Sequence, residues 1–273
     1  MPLAVIGASY ATAAFPTLSY AFSRGESDTF LTHVAVGARQ ILFWSLPIIA
    51  IILVLRAHIV RAILGSGAFD WTDTRLTAAA LALLIFSLAT QSMSLLLIRA
   101  LYACGKTLVP LTVAVGSGIM TVALGFCLIR SSVGPDIIHL VEVLLRVEDV
   151  AGRSVLALPL AYSLASITGM IALAIHFEVG FPGFFGQLYH AWWESLTAAL
   201  VAGCAAYLAL NVMGDISLSS ALVSVLLETT VAGSSGIIAA GCTYFLLANQ
   251  SFIENAQALR RRWRGTEPIA SVE

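Results

Sequence analysis

Seven stretches of this 273-residue chain are apolar for long enough to cross a lipid bilayer, and that repetition constrains the fold more than any other feature. A helix rising about 1.5 Å per residue needs about 20 residues to traverse roughly 30 Å of hydrocarbon. The stretches are Met1–Phe22, Val34–Leu55, Leu76–Ile98, Leu108–Ile129, Val155–Ile175, Ser195–Met213 and Leu222–Ala248. None alternates with period two, and a helix satisfies its own backbone hydrogen bonds in lipid, so helices are predicted over strands. Internal residues such as Pro47, Gly116, Gly118 and Pro159 are compatible with this, because neighbouring helices can repair a broken backbone ladder. Small-residue runs, Gly116–Ser117–Gly118 and Ala232–Gly233–Ser234–Ser235–Gly236, predict close helix contacts.

Composition excludes the main alternative. Hydrophobic residues make up 59% of the chain and charged residues 11%, whereas soluble domains carry about a quarter charged residues. A soluble fold of this size could not cover its surface with so few charges. The formal net charge of -1 gives no global attraction to nucleic acid. Cys104, Cys127, Cys204 and Cys242 lie in or beside apolar segments with no CxxC pairing and no histidines at metal spacing, which reads as free thiols and implies no metal and no cofactor. No GxSxG, HExxH, phosphate-binding glycine loop or paired-carboxylate arrangement is present, so an enzyme is not expected.

The breaks between spans are short except Arg130–Arg153, which is charged and contains Pro135. The division expected from these breaks is a bundle of about five helices over 1–176, a final helix pair over 177–248, and a basic tail over 249–273. Arg260, Arg261, Arg262 and Arg264 place that tail in the cytoplasm by the positive-inside rule. Counting back puts Arg24 and the Arg99/Lys106 turn inside, and Arg56, Arg61, Arg75, Arg130, Arg146 and Arg153 outside. Tyr189, Trp192 and Trp193 read as an interfacial aromatic belt, and His33, His58, His139, His176 and His190 as residues of loops and helix ends. Met1 leads directly into an apolar segment and the first basic residue is Arg24, so the chain reads as one that begins inside a larger protein.

Charges within spans are costly, about 2.5–3.5 kcal/mol on insertion scales, and each calls for a reason. Arg39 stands about one and a half turns into the second expected span, where it either snorkels to the headgroups or faces a cavity and attracts anions. Glu228, about two turns into the last span, either pairs with a neighbouring helix or is protonated. Arg99 closes the third span, most simply as an interfacial anchor. Arg39, Arg99 and Glu228 are the candidates for contact with a polar substrate.

Three motifs in order then carry a family resemblance. Phe15–Pro16–Thr17–Leu18–Ser19, after Leu3–Ala4–Val5–Ile6–Gly7, resembles the "LPLGVFG…FPTLS" signature of the MurJ/MviN lipid II flippases, and the likeness continues through Gly37–Ala38–Arg39 to Leu46–Pro47. Ile63–Leu64–Gly65–Ser66–Gly67–Ala68–Phe69–Asp70 is similar to the family's "LFGRGAFT" loop. Arg99–Ala100–Leu101–Tyr102–Ala103, with Gly105 and Pro110, resembles its "RAFYARGDTRTP" turn. The motif residues Pro16, Ser19, Gly65, Gly67, Phe69, Tyr102, Gly105 and Pro110 are expected to be structural. The resemblance spans Met1 to about Ile129 and is topological afterwards. Lys106 departs from it, standing where the family turn usually carries aspartate.

The resemblance implies the C-terminal lobe of a flippase in the bacterial cytoplasmic membrane. Its partners would be lipid II, membrane lipids and an N-terminal half carrying most of the cationic cavity residues. It implies alternating access of a hydrated cavity between two lobes, a groove for the polyprenyl tail in Ser195–Ala248, and help to the headgroup from Arg39. Another exporter of the same superfamily and a non-transporting membrane subunit are the alternative readings.

Overall fold

A computed structural model describes residues 9–65, 69–130, 134–145, 147, 150, 153–213, 222–249, 251–253 and 255. The fold over these residues is an all-α bundle of α1 (Ser9–Ser23), α2 (Ser27–Leu64), α3 (Trp71–Ala103), α4 (Leu108–Arg130), α5 (Gly134–Leu145), α6 (Ala157–Gly180), α7 (Phe184–Met213) and α8 (Leu222–Leu246), with a short 3-10 turn at Arg153–Leu156. Six of these, α2, α3, α4, α6, α7 and α8, are long and apolar enough to cross a membrane. Of the first expected span, α1 supplies the described part, and its earlier residues lie outside the described ones.

Turn chemistry sets the ends. α1 closes with the Glu26 N–H donating to the Ala21 carbonyl at 3.1 Å and the Gly25 N–H to the Phe22 carbonyl at 3.0 Å, with Gly25 at φ 72°. α3 closes the same way, Lys106 to Leu101 at 2.9 Å and Gly105 to Tyr102 at 2.9 Å, with Gly105 at φ 71°. These are Schellman closures, which satisfy carbonyls that a helix end otherwise leaves bare. The α2–α3 connection uses other means. A Cβ on Gly65 would sit 2.2 Å from the Arg61 carbonyl oxygen, so the tight exit from α2 needs glycine. Asp70 and Asp73 form a capping box over the first turn of α3. Gly67 falls outside the described residues. Pro110 is buried in the first turn of α4, where a missing N–H is harmless.

α2 is the axis of the bundle, packing against α1, α3, α7 and α8, while α6 bridges α3 and α4. The largest core cluster brings Leu18 of α1 and Leu96, Leu97 and Leu101 of α3 onto Phe30 and Val34 of α2. Phe30 lies 4.9 Å from Phe181, and Phe177 lies 5.0 Å from Phe184, so aromatic rings also close the α6–α7 turn. Glu178 fastens that turn by accepting from the N–H groups of Gly183 and Phe185, both at 2.9 Å. α8 lies on α2 and α7 through small residues, as its glycine run predicts. A Cβ on Gly236 would meet Ile51 at 2.8 Å and the Ala202 carbonyl at 3.1 Å. At Gly116 and Gly118 the prediction differs from the structure, because neither has a neighbour there and the α4–α6 contact runs through Ser117 and Gly169.

Two boundaries differ from the sequence reading. α2 begins at Ser27 rather than Val34, because Asp28 and Thr32 tolerate the first turns outside the apolar run. The charged break Arg130–Arg153 contains α5, whose Ile137, Leu140, Val143 and Leu144 are exposed on one side. Its amphipathic pattern, too short for a crossing, suits a helix lying along the membrane surface.

Three measurements check these contacts. Gly236→Val should force α8 from α2 and α7 and lower the thermal stability of the detergent-solubilised protein by about 1–3 kcal/mol. Ala248 ends α8 in the left-handed region at φ 50°, so Ala248→Gly should raise it by about 1 kcal/mol. In the α3–α4 turn, burial pushes the Cys104 thiol up to about 11, with Lys106 opposing. Maleimide modification of Cys104 near neutral pH should therefore run about a hundredfold below that of a thiol at its ordinary value, rising as pH approaches 11.

Candidate functional site

The three charged candidates do not converge. Arg39 is half-buried about three turns into α2, deeper than the sequence boundaries suggest because the helix starts earlier. It has an interaction of its own, and its sequence neighbours on α2 make polar contacts with α8 and the residues after it. The Asn255 side chain donates to the Gln40 carboxamide oxygen at 2.9 Å, and the Tyr244 hydroxyl to the Phe43 carbonyl at 2.9 Å. The Asn249 amide donates to Glu194 on α7 at 2.5 Å. The four tail arginines fall outside the described residues.

Arg99 is half-buried at the α1–α3 contact, its guanidinium 5.9 Å from the centre of the Phe15 ring. Two of the sequence motifs thus meet, since Phe15 precedes Pro16 and Arg99 precedes Tyr102. A cation above an aromatic face at this range is worth about 0.5–1 kcal/mol where exposed. Pro16 and Ser19 lie within α1, exposed and half-exposed, and Tyr102 is exposed in the last turn of α3. Lys106 stands beside Gly180, 3.5 Å from where a Cβ there would lie, at the carbonyl end of α6. A cation suits that end of a helix, which gives the departure from the family turn a local reason.

Glu228 lies at the opposite end of α2. Its carboxylate is 3.6 Å from His58 Nε2, and both side chains are mostly buried. About 28 Å of helix separates Arg39 from His58, so one headgroup contact cannot link Arg39 and Glu228 directly. The sequence reading placed His58 among interfacial histidines, and the structure instead buries it against α8. The available signal was its position within an apolar stretch of α2, six residues before Leu64.

Two concave surfaces flank the α3–α6 seam. On one side a cleft of about 270 Å³ opens between α3 and α4 with α6 as its floor. Gln91, Ser94, Ser117, Thr121, Tyr162 and Ser166 place uncharged polar groups among the apolar ones that line it. Pro110 stands at its edge. On the other side a groove of about 440 Å³ is almost wholly apolar, lined by Leu42, Met93, Ile171, Phe185 and Leu188, with Tyr189, Trp192 and Trp193 along it. Met170 borders both. The hydroxyls of Thr90 and Ser166, 3.1 Å apart, join the helices between the two surfaces, and Ser163 donates to the Leu83 carbonyl at 2.7 Å below them. Interhelical hydrogen bonds of this kind average about 0.6 kcal/mol. Gln91 is held by its own helix, donating to the Ser87 hydroxyl at 2.8 Å, which leaves its carboxamide oxygen available to water or a ligand. The groove uses the first half of α7, upstream of the Ser195–Ala248 segment named from sequence. Among the described residues no group of three or more metal-ligating side chains occurs.

An arrangement with a hydroxyl-lined cleft beside an apolar groove can receive an amphiphile with an uncharged polar part and a long chain. Comparison with known proteins points to one family of membrane proteins. The chain is 30% identical over 130 residues to a probable lipid II flippase MurJ of Bdellovibrio bacteriovorus, an alignment covering 48% of this chain and 25% of that protein. It superposes on a solved structure, the lipid II flippase MurJ in an inward closed conformation, with a TM-score of 0.64 at 18% identity, covering 91% of this chain and 45% of the other. The chain thus spans less than half the length of each of these relatives. The profile of the family described as Lipid II flippase MurJ matches residues 1–227. With most of its length matched by that profile and six helices suited to the cytoplasmic membrane in which the family works, this chain belongs to the MurJ lipid II flippase family.

Proposed function

We propose that this chain acts as one lobe, the C-terminal one, of a lipid II flippase that works by alternating access together with an N-terminal lobe. The observation that carries this reading is the pairing of a neutral polar cleft and an apolar groove across one seam, which matches the two-part chemistry of a lipid-linked sugar. A pyrophosphate with sugars and a peptide cannot cross hydrocarbon with its polar groups unpaired. The cleft offers hydroxyls and an amide to the uncharged part, and the groove offers apolar surface to a polyprenyl chain. Among the residues lining the cleft none is charged, so the phosphates depend on cations from elsewhere. The resemblance assigns most of those to the N-terminal lobe. Arg39 assists from the tail side of the bundle, inside the cell by the positive-inside reading. α4 supports a partner lobe, packing on α6 along one side and leaving most of its surface, including Leu111, Val115, Ile119 and Val122, exposed. Rocking of two bundles around a midplane site is the general form such transport takes.

Complementation tests the reading. In cells depleted of their flippase, this chain co-expressed with the N-terminal half of a family member should restore growth and lipid II translocation, and either half alone should not. If both halves insert in the membrane and translocation stays absent, the reading fails. In the restored pair, Gln91→Leu should reduce translocation severalfold at unchanged protein level, while Gln91→Asn retains most of it, as expected for loss of a polar contact of about 1–2 kcal/mol.

A further inference from the structure

We propose that His58 and Glu228 form a proton-binding site that holds α8 against α2. Glu228 is the sole charged residue of α8, and its carboxylate meets the His58 imidazole across an otherwise apolar helix seam made by Ile51, Leu55, Ala202 and Ala232. The 3.6 Å separation is an ion-pair distance and too long for a hydrogen bond. Both ring nitrogens of His58 and Oε2 of Glu228 are sealed from solvent and have no hydrogen-bond partner. Two ionisable groups left facing each other in this way are a place for a proton rather than a permanent bond.

The pair has three protonation totals. With one proton shared it is neutral, either imidazolium with carboxylate or imidazole with carboxylic acid, and the two groups attract. With none it is a buried carboxylate beside a neutral ring, and with two it is a buried imidazolium beside a neutral acid. Each of the last two leaves one uncompensated charge, which a low-dielectric seam resists strongly. The helices therefore close on the one-proton state. As pH rises and that proton leaves, α8 should part from α2 at this end, and strong acid should do the same by adding a second proton.

On α2, Arg61 donates to the Phe69 carbonyl at 3.3 Å. Arg56 on α2 and Arg75 on α3 have interactions of their own. Asp73 of α3 belongs to the capping box. The facing part of α7 carries Tyr207 and Cys204, both exposed away from the seam. The site also has a lever to act on. Near the pair α8 meets α2 at Gly233 and Gly236, which carry no side chain, whereas its other end is tied by Tyr244 and by the Asn249 and Asn255 bonds. Motion on proton loss is thus confined to the His58 end.

Electron paramagnetic resonance distance measurement tests this on the full chain in lipid nanodiscs. Nitroxides go on Ile63→Cys and Leu227→Cys, both exposed positions beside the site, in a background lacking the native cysteines. Between pH 5 and pH 9 the distance distribution should gain a longer component toward alkaline pH. Glu228→Gln leaves no carboxylate to be bared and should remove the alkaline component, whereas His58→Gln leaves Glu228 with only its own proton and should move the pH at which that component appears. The exchanged pair, His58→Glu with Glu228→His, keeps both groups and should keep the response, which covers the case in which a glutamine variant fails to fold. A distribution constant across the range in the unsubstituted pair overturns the proposal, as does an alkaline component that persists in Glu228→Gln, a pH of onset unchanged in His58→Gln, or a response lost in a folded exchanged pair.

Discussion

In hydrocarbon no water stands ready to take a backbone N–H or carbonyl, and nearly every feature of this bundle answers to that constraint. It selects helices, and it makes their ends the places where sequence matters most. Gly25 and Gly105 permit left-handed closures that return two N–H groups to the carbonyls behind them. Asp70, Asp73 and Glu178 supply carboxylates to the opposite kind of end. Within the spans, hydroxyls are satisfied locally, as where Ser92 donates to the Leu88 carbonyl at 2.8 Å and Thr229 to the Val225 carbonyl at 2.6 Å. Because local demands are met this way, the few polar groups that are not so satisfied stand out.

Ser45 and Ser195 keep buried hydroxyls without a partner, the bonds of Tyr244, Asn249 and Asn255 tie the end of α8, and the others lie in two neighbourhoods. Along the α3–α6 seam, Thr90, Ser163 and Ser166 tie helices together, and Gln91 looks into an open cleft. At the end of α2, His58 and Glu228 face each other without hydrogen bonds. In the proposed function the first neighbourhood meets the polar part of the cargo, and in the proposed proton site the second governs the final helix. α2 connects them, since it packs on α3 with one side and on α7 and α8 with another. A displacement of α8 therefore has a short mechanical route to the cleft.

Span number, helical class and membrane location were legible in the apolar runs, since the bilayer imposes a length that composition alone can report. The motif residues were legible too, because Gly65, Asp70 and Gly105 do their work locally in sequence. Contacts across the fold were harder to read. His58 looks like an interfacial residue until α8 is laid beside it, and the two are 170 positions apart in sequence. Gly116 and Gly118 resemble a packing motif, yet the helix turns both away from α6. The apolar groove beside the α3–α6 seam takes in Phe185 and Leu188 of α7, and it was not legible, because a groove depends on which helices splay, and periodicity within one helix carries no trace of that. α5 was hidden by the charges around it, whose presence lowers mean hydropathy without preventing an amphipathic turn pattern.

The helices are far from equal in length. α2 has 38 residues and α3 has 33, against 23 in α4 and 25 in α8, so at about 1.5 Å per residue the first pair is on the order of 15 Å longer than the second. A single flat slab of hydrocarbon cannot match both sets. The long pair must lean or project into the headgroup zone, while the short pair, at about 35 Å, crosses nearly upright. Bilayer thickness thereby becomes a mechanical input to the relative tilt of the two halves of the bundle, and lipid composition, quite apart from any specific lipid contact, biases which posture the protein holds.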